Sequence, residues 1–455
     1  MRPRMPRRSD EIPTRCLDGR LEVNAISTTH RGEAPARSRS SLAVATSRGL
    51  VFDLIRSRGP ISRVVLAAST GLTQATMSYV VRELIEDGLV IETGHGESTG
   101  GKRPTLLDID PAARFAVGVQ LGADEITYVV TNLGGAIIGR TRTHGPTDDP
   151  EHVVTQIADR IAELLDNVGV RRDRVVGLGI VAPGPLDLVS GTIFAPPTMT
   201  AWQQFPLRSR LAQATGLPVL LDNDATAAAV AEFWGGALAD SKAHMTVYMG
   251  AGIGAGIVLG GTVFRGASGN TGELGQALHR SGSASGSGSA SVSVSASASA
   301  SGSASEDEWV TVEDVAAPAA VAARARAAIT SGVLTGIELT ADANPYRDFA
   351  LVALAATRGN AEALALIAES AEALAGAVVS AANILDLDSV VLAGPSFATA
   401  GSLYVRVLKR KLDARFFAGD LHDVQVRLSG QVAEAAAVGG AALVLQNTLS
   451  PRSFA

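Results

Sequence analysis

Two short stretches carry side chains whose types and spacing suit chemistry. In "LDNDATAAAVAEFW", Asn223 and Asp224 stand between an apolar run and a helix-forming run, so an amide and a carboxylate leave the end of a strand together. Such a pair suits a polyol, whose hydroxyls donate to the carboxylate and exchange hydrogen bonds with the amide. Asn and Asp are also favoured helix N-caps, and from these residues alone capping and ligand contact stand level. In "GLTQATMSYVVRELIEDG", Met77, Val80, Val81 and Leu84 fall at i, i+3, i+4 and i+7, an apolar stripe for one helix face. The opposite face holds Ala75, Ser78, Tyr79 and Arg82, with Gln74 and Thr76 near its start. Small residues, hydrogen-bonding groups and one long cation are what a helix needs to approach base edges in a major groove.

Stepping outward from that helix, Ser62 predicts an N-cap for a short helix through about Ser69, Gly71 supplies a turn, and Thr73 caps the helix that runs to about Asp87, where Gly88 ends it. A preceding helix is expected from Ser47 to Ser57. Afterwards "LVIET" and "TLLDI" bracket a glycine-rich hairpin whose tip carries Lys102 and Arg103, where a wing touches phosphate or the minor groove. Residues 45–110 therefore read as a winged helix-turn-helix, with Thr73, Gln74, Thr76, Ser78, Tyr79, Arg82, Lys102 and Arg103 as its DNA-facing residues. The alternative is a small helical subdomain without a nucleic-acid partner. Seven cations face eight carboxylates in this segment, so affinity has to come from local placement and dimerisation.

The chain has 455 residues, 46% hydrophobic, with few aromatics, and room for more than one core. A net charge of -6 speaks against a non-specific nucleic-acid coat. No apolar run approaches the roughly 20 residues that span a bilayer, and no hydrophobic signal core opens the chain; a cytoplasmic protein without a membrane partner is expected. Cys16 is the single cysteine, which leaves no disulfide and no thiolate cage for a metal. Residues 1–44, rich in Arg, Ser and Pro, read as a disordered basic arm.

From Phe115 the periodicity turns to strands. "FAVGVQLG", "EITYVVTNL" and "GAIIGRTRT" form a meander, followed by a helix over about 150–167. "VVGLGIVAPGPLD", "PVLLDNDATAAAVAEFW", "HMTVYMG" with "GAGIVLGGTVF", and "DSVVLAGPS" then alternate with helices, the mark of an α/β domain. Its ligands are expected beyond the carboxyl ends of the strands. The serine-alternating tract 281–305 has little surface to bury and reads as a flexible loop. "EAAAVGGAALVLQ" closes the chain as a tightly packed helix.

With these landmarks in order, about residues 45–447 resemble the ROK family (repressors, open reading frames and kinases), in its transcriptional-repressor branch. The specific points are "GLTQATMSYVVRELIEDGLV" with "STGGKRP", "APGPLD", "LDNDATAAAVAEFWGG", "GAGIGAGIVLGG" and "GELG". The resemblance implies an N-terminal winged helix-turn-helix followed by a two-lobed actin-like sugar-kinase domain over residues 111–455. It assigns sugar contact to Asn223, Asp224 and Glu273, with Asp224 the vestige of a catalytic base. Gln276 stands where the family has a zinc-binding histidine and can still hydrogen-bond a sugar hydroxyl, and Glu313 matches a further sugar-binding glutamate, although a plain exposed acid fits that position equally.

The pattern fails at two places. In "VQLGADEI", Gln120, Ala123 and Asp124 replace the aspartate, glycine and threonine of the kinases' phosphate loop, which opposes phosphoryl transfer. The second loop keeps Gly250, Gly252, Gly254 and Gly256 with Ala251, and is expected to persist as a tight turn. The family's zinc wants four ligands; with Gln276 in place and His279 the one candidate, no metal and no cofactor are expected. The reading is a repressor that binds operator DNA as a homodimer or homotetramer under control of a sugar, not an enzyme. A sugar kinase carrying a DNA-binding domain, and a regulator whose pocket is vestigial and answers to a partner protein, are the alternatives.

Overall fold

The computed structural model describes residues 37–96, 103–122, 124–145, 149–194, 200–236, 238, 240–280 and 309–449. Its N-terminal head contains α1 (Arg37–Arg58), β1 (Ile61–Ser62), α2 (Arg63–Thr70), α3 (Gln74–Glu86), β2 (Val90–His95) and β3 (Thr105–Ile109). The caps work as their residue types dictate. Ser62 accepts from Val65 N–H, Thr73 accepts from Thr76 N–H, and Gly71 closes α2 at φ 68°. Met77, Val80, Val81 and Leu84 are fully buried, so the stripe seals α3 against the head's core. β3 lies between β1 and β2 in an antiparallel sheet. The β1 strand is too short to show a period, and sequence reading did not find it. The α1 helix begins at Arg37, ten residues before the expected Ser47 and inside the stretch read as a disordered arm. The rest of that arm, Lys102 and Ala123 lie outside the described residues, as does the 281–305 tract.

The first lobe contains β4 (Phe115–Leu121), β5 (Glu125–Asn132), β6 (Ile137–His144), α4 (Pro150–Asn167), β7 (Val175–Ala182), the two-residue strands β8 (Leu186–Asp187) and β9 (Thr192–Ile193), α5 (Leu207–Thr215), β10 (Val219–Asn223) and α6 (Asp224–Trp234). Its sheet runs β10-β7-β4-β5-β6, parallel across β10, β7 and β4, antiparallel beyond. The second lobe follows with β11 (Ala243–Met249), β12 (Ile253–Leu259), β13 (Thr262–Val263), β14 (Leu278–Arg280), β15 (Trp309–Thr311), α7 (Val312–Ala316), α8 (Pro318–Thr330), α9 (Pro345–Thr357), α10 (Ala361–Leu385), β16 (Ser389–Ala393), α11 (Phe397–Arg415), β17 (Gln425–Leu428) and α12 (Ala435–Leu449). Here the sheet order is β13-β12-β11-β16-β17.

Between the sheets, α12 packs on β4, β5 and β7, α6 packs on β11 and β12, and the two helices pack on each other. Small residues make this possible. A methyl on Gly439 would sit 1.8 Å from Ala227 O, one on Gly179 1.9 Å from Gly440 O, and one on Gly118 1.8 Å from Ala437 O. These elements therefore meet backbone to backbone, which explains the alanine-rich α6 and the glycine- and alanine-rich α12. The described residues from 43 onward form one compact unit; of residues 1–42, only the start of α1 is described. Contrary to the sequence expectation, α10 is long and apolar enough to cross a membrane by length and composition. It packs against α7, α8, α9 and α11, and Glu372 pairs with Arg410 and Lys411.

Candidate functional site

β10 ends where α6 starts, and that junction presents Asn223 and Asp224 at the carboxyl end of the first sheet. The capping reading of Asn223 is realised: its Oδ1 accepts from Ala225 N–H at 2.9 Å and Thr226 N–H at 3.2 Å. Its amide Nδ2 is left for other use. A methyl placed on Gly184, in the turn after β7, would lie 3.3 Å from Glu273 Oε1, 3.6 Å from Asn223 Nδ2 and 3.7 Å from Asn270 Oδ1. Three polar side chains thus converge on the bare face of one glycine. Asp224 Oδ1 accepts from Ala225 N–H at 2.8 Å. Burial pushes the Asp224 carboxyl up to about 7 against that backbone N–H, helped by the charge of Glu273.

Glu313, on α7, comes to the same region. Its Oε1 accepts from Ile253 N–H at 3.2 Å, and its Oε2 accepts from Gln276 Nε2 at 2.7 Å. The plain exposed acid weighed from sequence is therefore not what the structure contains. Gln276, expected to meet a sugar hydroxyl, instead donates an amide proton to Glu313. Burial and the charge of Glu313 push the Glu273 carboxyl up, and burial does the same to Glu313.

The positions that depart from a phosphate loop now join the lobes. Gln120, buried on β4, donates to the Tyr248 hydroxyl on β11. Asp124, in the β4–β5 turn, accepts from Asn344 Nδ2 at 2.7 Å, and Arg347 Nε lies 3.9 Å from its other oxygen. Asn344 caps α9, so a carboxylate of the first lobe is held by a helix start in the second. In the second glycine loop, expected to persist as a tight turn, Gly252, Gly254 and Gly256 are required by close approach and not by turn conformation alone. A methyl on Gly252 would sit 2.2 Å from Glu313 Oε1, and one on Gly256 2.3 Å from Ala225 O.

For the zinc that the resemblance implies, the donor set does not fit. Gln276 is bound to Glu313, and among the described residues no group of three or more His, Cys, Asp or Glu is placed to hold a metal ion.

On the head, Thr73, Gln74, Ala75, Ser78, Tyr79 and Arg82 are exposed and Thr76 is half-buried. Thr73 and Thr76 hydroxyls lie 3.0 Å apart within the cap. The Tyr79 hydroxyl donates to Glu83 at 2.8 Å, and the Arg82 guanidinium stands 5.8 Å from the Tyr79 ring centre. Arg103 is exposed just before β3.

Sequence reading missed Asn270, whose side chain donates to Leu186 O at 2.9 Å and accepts from Leu186 N–H at 2.8 Å, holding the turn that carries Gly184. It also missed Arg265, which clamps Asp222 at 2.9 and 2.6 Å and so fixes the residue before Asn223. Each acts across a long loop, and nothing local in the sequence signals it.

Two sheets flanking a pair of packed helices, with polar side chains gathered at the strand ends, define the mixed α/β fold of sugar kinases and their relatives. The ROK family model matches residues 116–447, and the chain belongs to the ROK family. It is 29% identical over 402 residues to a putative xylose repressor of Caldicellulosiruptor sp., covering 88% of this chain and 96% of that protein. A crystal structure of a ROK family transcriptional regulator, a homologue of the E. coli MLC protein, superposes with a TM-score of 0.66 at 23% identity over 90% of this chain and 97% of its own. The ROK hexokinase of Thermus thermophilus superposes with a TM-score of 0.52 at 26% identity, over 72% of this chain and 97% of its own.

Proposed function

We propose that this protein is a DNA-binding transcriptional repressor of carbohydrate genes, controlled by a sugar or sugar derivative held between the lobes. In this reading residues 45–110 are a winged helix-turn-helix and residues 111–455 the sensor. The regulator structure spans 90% of the chain whereas the hexokinase spans 72%, a difference large enough to include a head of this size. The observation that carries the reading is α3 itself. Its apolar stripe is sealed while Gln74, Ser78, Tyr79 and Arg82 face solvent, the division of labour of a recognition helix. Thr73 and Thr76 hold the start of that helix, and Lys102 and Arg103 supply phosphate or minor-groove contacts.

In the sensor, Asn223 Nδ2, Asp224, Glu273 and Glu313 take sugar hydroxyls. A carboxyl that titrates near neutrality both donates to and accepts from a hydroxyl, which suits a polyol. Gln276 orients Glu313. Phosphoryl transfer is no part of the reading, because Gln120 and Asp124 are occupied as lobe-to-lobe contacts. The protein works as a homodimer or homotetramer on palindromic DNA, with half-sites about one helical turn apart. Footprinting on duplex DNA from upstream of its own gene tests the head. Arg82→Ala and Tyr79→Ala should each cost about 1–3 kcal/mol of sequence discrimination with the melting temperature unchanged. Unaltered footprints from both refute the assigned face.

A further inference from the structure

We infer that α6 transmits ligand occupancy from the cleft to the head, and that the stack of Arg56 on Trp234 at its far end is the coupling contact. The inference rests on the sugar-controlled reading above. The helix starts at the candidate ligand residues, with Asn223 as its cap and Asp224 as its first residue, and ends at Trp234, about 16 Å away at the usual rise per residue. Its N-terminal half, through Ala229, is gripped from both sides. Gly256 of β12 meets Ala225 O, Gly254 meets the Ala225 side chain, and Gly439 of α12 meets Ala227 O, all so closely that a methyl would overlap. A helix gripped at backbone distance moves as a body, and a pull on its cap appears at its other end.

At that end Trp234 is buried, and its indole N–H donates to Leu133 O at 3.2 Å. The Arg56 guanidinium carbon lies 4.0 Å from the ring centre, and the same side chain donates to the Trp234 carbonyl. Arg56 also stands 3.6 Å from Asp53, one turn earlier on α1. A cation here meets an aromatic face, the negative end of a helix and a carboxylate together. Val51, Phe52 and Ile55 of α1 belong to one continuous core with Ala227, Ala228, Val230 and Trp234 of α6. The head is therefore joined to the ligand helix itself, and a shift of α6 carries α1 with it. A ligand that draws on Asn223 Nδ2 displaces the cap, the helix and the head in that order.

The test uses the full chain, duplex DNA from upstream of its gene, and D-xylose, D-glucose and N-acetylglucosamine as probes. For wild type, Arg56→Lys and Trp234→Phe, DNA affinity is measured with and without each sugar, and sugar affinity is measured without DNA. In both variants the sugar-dependent change in DNA affinity should fall about tenfold, while sugar-free DNA affinity and sugar affinity stay within about threefold of wild type. An unchanged sugar effect in both overturns the inference, and so does loss of sugar-free DNA binding in both, which assigns the pair a purely structural role. Should neither variant fold, a protein with Trp202→Phe and Trp309→Phe keeps Trp234 as the reporter. Its emission should shift on adding D-xylose without DNA, and a constant emission with sugar bound overturns the inference. A wild type whose DNA affinity ignores all three sugars sinks the sugar-controlled reading instead, before any variant is made.

Discussion

Replacing Asp224 by Asn removes a titration that the fold holds far from its ordinary range. The carboxyl rises from 3.8 to about 7, chiefly through burial. Because the folded pKa is raised, the folded chain keeps a proton that the unfolded chain has released, and stability falls as pH rises between the two values. The contribution is fully present below 3.8 and is gone once pH has passed about 7. Three units at 1.36 kcal/mol each set a ceiling of about 4 kcal/mol. Between about pH 5 and about pH 8.5 the loss works out at about 2–3 kcal/mol, since most of the titration falls in that window. Asn keeps the shape and the acceptor for Ala225 N–H, so Asp224→Asn should lack this slope. Urea unfolding of both proteins across that range, without sugar, provides the assay. The variant should gain on wild type by about 2–3 kcal/mol from the acid to the alkaline end. Glu273→Gln supplies a control, because removing that neighbouring charge should bring the slope to lower pH. Parallel pH profiles for wild type and Asp224→Asn would refute the burial argument.

Four more outcomes are expected from the packing and contacts above. Sugar affinity should rise with pH through about 7, because ionised Asp224 is the better acceptor, and calorimetric titration of Asp224→Asn should show no such rise. Gly439→Ala drives a methyl to 1.8 Å from Ala227 O, so thermal unfolding should register a loss of about 3 kcal/mol or more. Asp124→Ala removes the Asn344 contact between lobes and should cost about 1–2 kcal/mol in urea unfolding. Neither it nor wild type should turn over ATP with hexoses, amino sugars or xylose in a coupled assay.

Local signals were legible wherever period and cap coincided. Met77, Val80, Val81 and Leu84 announce the buried side of α3, and Ser62 and Thr73 announce two helix starts, because each depends on neighbours within a few residues. Asn223 and Asp224 were legible as a pair for the same reason. What sequence reading lacked lies between distant residues. Arg56 and Trp234 are 178 positions apart, and Asp124 and Asn344 are 220 apart. No pattern in either segment encodes the other. The glycines of the second loop were visible but their cause was not, since the neighbours that exclude a side chain are Glu313 and α6. The short strands β1 and β17 carry too few residues to establish alternation.

If a sugar-binding cleft governs a DNA-binding head, as proposed above, a single titration should reveal it. Full-length protein is bound to duplex DNA from upstream of its gene, and D-xylose, D-glucose or N-acetylglucosamine is added while protection of individual bases is followed. A protected site with two related halves is expected, lost at least about tenfold more readily when one of these sugars is present. Equal affinity for every duplex sequence, unmoved by any of them, would contradict it.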